Sequence, residues 1–142
     1  MKPLSALFVL LIVLAGPAMA DPSARAAVNA YRADNGRAGL SYSDELHAIA
    51  LAHARDMAQG GFFDHTGSDG SGLAERLRAG NYSSCFAAEN IAKGQKTLEA
   101  VMQSWAGSAG HRRNLIHRKA TEFGLARAPG DIWIMVLAAP GC

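Results

Sequence analysis

The sequence predicts an α+β fold in which a small sheet lies between two layers of helix. Three observations carry this reading. Helical apolar spacing recurs in four segments between Ser23 and Trp105. An apolar hairpin follows them, and one of its strands is apolar on both faces.

Taken in order, Ser23 to Asn35 places Ala24, Ala27, Val28 and Tyr31 at helical spacing, with Gly36 just past the end. Ser43 caps a second, stronger helix carrying Leu46, Ile49, Ala50, His53 and Met57 on one face, and Gly60-Gly61 stops it. A turn-rich segment from Asp64 to Gly72 leads into a short helix around Leu73 to Arg78. Thr97 caps a fourth helix with Leu98, Val101, Met102 and Trp105 inward and Glu99 and Gln103 toward water. Phe86 to Ala92 reads as a short strand. Thr121 to Ala128 and Asp131 to Ala139 form a hairpin through Pro129-Gly130, a pair suited to a type II turn. The run from Ile132 to Leu137 is apolar at every position, so it requires cover on both sides.

Residues 1–20 read as an export signal rather than as part of the fold. Lys2 supplies the charged start, Leu7 to Leu14 the apolar run, and Ala18-Met19-Ala20 the small-x-small pattern for cleavage before Asp21. Gly16 and Pro17 interrupt the run, leaving it too short for a transmembrane helix. No cysteine follows the cleavage point to take a lipid. Residues 21–142 then form one domain, exported to the periplasm or the extracellular space, with no later stretch able to cross a membrane. The formal charge is +2, or +1 without Lys2, too balanced for a nucleic-acid surface. Arg112, Arg113, Arg118 and Lys119 do cluster, and their simplest reading is solvated helix ends. No helix carries a second apolar stripe, which points to a monomer.

Two cysteines remain, Cys85 and Cys142. Export places them in an oxidising compartment and their spacing suits no metal pair, so they are read as one disulfide.

Four segments together resemble the CAP superfamily of SCP-like extracellular proteins, in its shorter bacterial form. They are Ala48 to Gly61 running into Phe62-Phe63-Asp64-His65, then Ala88-Glu89-Asn90-Ile91-Ala92. Trp105-x-x-Ser108-x-Gly110-His111-Arg112-x-Asn114-Leu115 follows, and Phe123-Gly124-Leu125-Ala126 comes last. The resemblance implies a three-layer α-β-α sandwich with a small antiparallel sheet, in agreement with the independent reading.

In animal and plant relatives two histidines and two acidic residues line a cleft that can hold a divalent metal. By resemblance the histidines correspond to His65 and His111, and one carboxylate to Glu89. The second carboxylate, usual three residues after the helix tryptophan, falls on Ser108, a departure from the pattern. Glu75 is an acidic candidate for the neighbourhood that the motif itself does not license. Two neutral imidazoles and a carboxylate can bind zinc with one position open to water. Ser108 is placed to cap a short helix beginning near Gly110, with His111 in its first turn, where the dipole disfavours imidazolium. The same residues also fit a hydrogen-bonded scaffold that reacts with nothing.

The remaining polar residues invite plainer readings. His53 lies on an apolar helix face and is read as a packed core histidine. Trp105 and Trp133 are core anchors. Gly67-Ser68-Asp69-Gly70 is a turn with too few carboxylates for calcium. Ser83-Ser84 and Ser108 lack a nucleophile-elbow sequence. The expected function is a secreted, non-catalytic module binding a small or apolar ligand or an extracellular partner. The alternative is a divalent-metal-dependent hydrolase acting on peptide or envelope polymers.

Overall fold

The computed structural model describes residues 22–142. The leader read from residues 1–20 lies outside them. Helix α1 spans Pro22–Asp34 and turns Ala24, Val28 and Arg32 inward, one residue per helical turn. Strand β1, Ser41–Tyr42, leads directly into helix α2, Asp44–Gly60. Ser43 caps α2 by accepting from the Leu46 amide, and Gly61 ends it at φ 67° with its own amide on Met57 O. Helix α3 covers Leu73–Ala79, β2 Ser84–Lys93, α4 Leu98–Gly107 and α5 Ala109–Leu115. The chain closes with β3, Glu122–Ala128, and β4, Ile132–Pro140.

The strands run in the order β1-β3-β4-β2. The three long strands pair antiparallel, as the hairpin and the resemblance lead one to expect. The two-residue β1 departs from this by pairing parallel to β3, Ser41 opposite Glu122 and Tyr42 opposite Phe123. It is too short to carry a sequence period of its own. In the hairpin turn Gly130 adopts φ 84°, the sign a type II turn requires after proline, and Asp131 follows at φ 56°.

Alternation along β4 divides the core in two. Trp133, Met135 and Leu137 join Phe123 and Leu125 under α1, α4 and α5, with Val28, Val101, Trp105 and Leu115 fully buried. Ile132, Ile134, Val136 and Ala138 join Ala126 and Ala128 under α2 and α3, against Leu46, Met57 and Leu77. Both tryptophans are core residues. Trp105 Nε1 donates to Ile91 O at 3.2 Å and Trp133 Nε1 to Gln95 O at 2.8 Å. At Gly124 the backbone of α2 lies so close that a Cβ would sit 2.2 Å from His47 N, so only glycine lets helix and strand meet here.

Strand β2 exceeds the expected Phe86–Ala92 at both ends. Beyond a register shift at Cys85, Ser84 still pairs with Pro140. The shift lies beside the Cys85–Cys142 disulfide, whose Cα atoms are 4.8 Å apart. The bridge ties the segment after β4 to the start of β2. Among the described residues no helix is long and apolar enough to cross a membrane.

Candidate functional site

Strand β2 is an edge of the sheet, with α3 packed near one face and α5 near the other. Its sequence therefore presents polar residues to two layers in succession. Glu89 is buried, and its two carboxylate oxygens take different partners. His65, in the loop after α2, places Nδ1 2.8 Å from Oε1. Arg76, in the middle of α3, donates from Nη2 to Oε2, also at 2.8 Å.

Arg76 does more than neutralise Glu89. Its Nη1 donates to His65 O and to Ser71 O, both at 2.9 Å. One guanidinium thus fastens the histidine-bearing loop, the approach to α3 and the edge strand together. It is well shielded: the Arg76 side chain is 11% exposed and that of Glu89 4%. The imidazole of His65 is 56% exposed, so the cluster meets solvent through that ring.

The next residue, Asn90, is fully buried and points to the other layer. Its Nδ2 donates to His111 O at 3.1 Å, and its Oδ1 accepts from Asn114 Nδ2 at 2.8 Å. Asn90 and Asn114 so fix α5, and with it His111, against β2. His111 is half-buried, and burial pushes its ring below the ordinary histidine range, with the nearby His65 pushing the same way. His111 lies in the first turn of α5, and the direction of its shift is the one the sequence led one to expect. His65 and Glu89 are hydrogen-bonded to each other, and Asn90 holds the backbone of His111 against the same strand, while Ser108 and Glu75 take other places. Ser108 is the junction of α4 and α5, and its side chain makes no capping hydrogen bond. Glu75 is exposed and bonds the Gly72 amide at 3.1 Å and Arg78 at 2.8 Å, closing the first turn of α3.

His53 lies below the cluster as a core residue. Its Nε2–H donates to Asp64 O at 3.0 Å, which fixes the tautomer and leaves Nδ1 buried with no partner among the described residues. Burial, then the charge of Arg76, holds this ring below its ordinary value. The Gly67–Gly70 turn is held by Asp56, which accepts from the Ser68 amide at 2.8 Å and its hydroxyl at 2.6 Å.

These residues do not fit a bound divalent cation in the arrangement described. Glu89 has both oxygens engaged, one of them by a guanidinium, and the second acidic position is a serine. No group of three or more His, Cys, Asp or Glu side chains converges in metal-binding geometry among the described residues.

The cysteine-rich secretory protein family, CAP, matches residues 25–136. This chain belongs to that family. It is 35% identical over 106 residues to the protein YkwD of Bacillus subtilis, over 74% of this chain and 41% of YkwD. The chain spans less than half the length of the curated relatives it matches. Among solved CAP relatives, it superposes on an extracellular SCP-domain protein from Bacillus anthracis with a TM-score of 0.79 at 25% identity. That match covers 82% of this chain and 39% of the other. An outer surface protein from Borrelia burgdorferi matches with a TM-score of 0.78 at 20% identity, over 84% and 92% of the two chains, and shows the shared fold. Set against the CAP pattern of two histidines and two acids, the residue that sequence reasoning missed is Arg76. It lies one position from Glu75 and one from the core residue Leu77.

Proposed function

We propose that this chain is a secreted, non-catalytic CAP module that binds a small apolar ligand, with the His65–Glu89–Arg76 cluster as its scaffold. The observation that carries the reading is that His65 and Arg76 each hold one oxygen of Glu89. Each oxygen of this carboxylate already accepts a hydrogen bond, and the guanidinium supplies the compensating charge. The relatives described as extracellular and outer surface proteins support export, as does the leader read from residues 1–20.

The place for an apolar ligand is the groove between α1 and α4, a cavity of about 690 Å³ lined by Ala27, Tyr31, Leu98, Met102 and Ala106. Asp34 and Glu99 stand at its rim, which favours a ligand whose polar end is neutral over an anionic one.

Calorimetric titration tests both halves. Zinc, calcium and magnesium are expected to give no tight binding, and a neutral single-chain amphiphile is expected to bind the parent chain and not Ala27→Glu. Tight metal binding that His65→Ala abolishes would overturn the scaffold reading in favour of a metal-dependent hydrolase. Amphiphile affinity unchanged in Ala27→Glu would remove the groove from the account.

A further inference from the structure

On another part of the surface, a cavity of about 420 Å³ opens where the end of α1, the loop to β1 and the approach to β3 come together. Three arginines line it, Arg32, Arg37 and Arg118, with Gly36, Gly39 and Thr121 between them, and among the described residues no acidic side chain does. We infer that this cavity is a binding site for an oxyanion of the phosphate class.

Arg32 is the foundation. It is 2% exposed, and its Nε donates to Ala38 O at 2.8 Å while Nη1 donates to Leu115 O at 2.7 Å and His117 O at 3.3 Å. Those bonds close the C-terminal end of α5 and rigidly orient the fork. They leave the two hydrogens of Nη2 unused among the described residues. Arg37 repeats the pattern: Nε donates to Ile116 O at 2.9 Å and Nη1 to Gly36 O at 3.3 Å, and its Nη2 is also unused. Arg118 makes no hydrogen bond or ion pair among the described residues and adds a third, exposed guanidinium.

Carbonyl oxygens satisfy hydrogen bonds but bring no negative charge, so the cationic charge of the group stays uncompensated. The Arg32 guanidinium accordingly lies below its ordinary value, through burial and then through Arg37, with no carboxylate acting the other way. A tetrahedral oxyanion supplies both missing elements, charge and acceptors for the free fork hydrogens. The volume admits the phosphate together with part of the group that bears it. The cluster draws together residues far apart in sequence, which is why the basic run from Arg112 to Lys119 read alone as solvated helix ends. Of that run, Arg118 lines the cavity.

The chain is tested with inorganic phosphate by calorimetry at low salt, and with sedimented vesicles of phosphatidylglycerol against phosphatidylcholine. Arg118→Ala is the variant, since Arg118 supports no structural contact. The parent chain is expected to bind phosphate, and Arg118→Ala to bind about tenfold more weakly with an unchanged melting temperature. Binding of inorganic phosphate without vesicle association identifies the free ion. Association with phosphatidylglycerol vesicles that Arg118→Ala loses identifies a lipid headgroup. Absence of both, or affinity unchanged by Arg118→Ala, overturns the inference.

Discussion

Replacing Arg76 with methionine keeps the length and apolar stem of the side chain and removes only its charge and donors. Glu89, 4% exposed, would then face His65 alone, and the loop carbonyls of His65 and Ser71 would lose their shared donor. Breaking a buried ion pair from one side costs about 3–5 kcal/mol, because the surviving charge stays buried without compensation. At a urea slope of about 2 kcal/mol per molar, Arg76→Met should lower the unfolding midpoint by about 2 M. The double variant Arg76→Met, Glu89→Gln removes both charges, and the introduced amide can still accept from His65 Nδ1. It is expected to recover at least half of the loss. The assay is urea unfolding followed by tryptophan fluorescence, with the disulfide intact. A loss below about 1 kcal/mol for Arg76→Met, or no recovery in the double variant, would refute the view of Glu89 as a buried carboxylate neutralised by Arg76.

Cys85→Ser opens a loop closed over a separation of 57 residues and is expected to cost about 4 kcal/mol in urea unfolding. Reduction of the parent chain should reproduce that cost, and an unchanged midpoint on reduction would contradict it. Stability should also fall as pH drops from about 7 to about 5. His53, His111 and His117 all have folded values below the ordinary 6.5, so the unfolded chain binds protons first and stability is lost as pH falls below that value. Urea midpoints across this window test the sign, and a midpoint that rises on acidification would refute it. His53→Gln should flatten part of the dependence, since charging His53 requires a proton on buried, unpartnered Nδ1.

The layers of the fold were legible because each long element obeys one period. The stripe of α2, the cap at Thr97 and the unbroken apolar run of β4 each correspond to what the chain forms. The pairing of Glu89 with His65 was legible through motif order alone. Arg76 was not: one step along a helix rotates a side chain by about 100°, so a basic residue between Glu75 and Leu77 reads as solvated unless the neighbouring strand is known. Asn90 could have been found by period, since its neighbour Glu89 faces one layer and both layers are covered. Arg32 could also have been found, four residues after Val28 on the same helical stripe. Strand β1, two residues long, exists only through its partner β3.

The most direct test of the central claim is where the Glu89 carboxylate goes when metal is abundant. Crystals of the chain grown in excess zinc and measured at the zinc absorption edge would show it. The account expects Glu89 Oε2 to remain on Arg76, with no anomalous peak between His65 and His111. A zinc peak ligated by both histidines and Glu89, with Arg76 displaced, would contradict it.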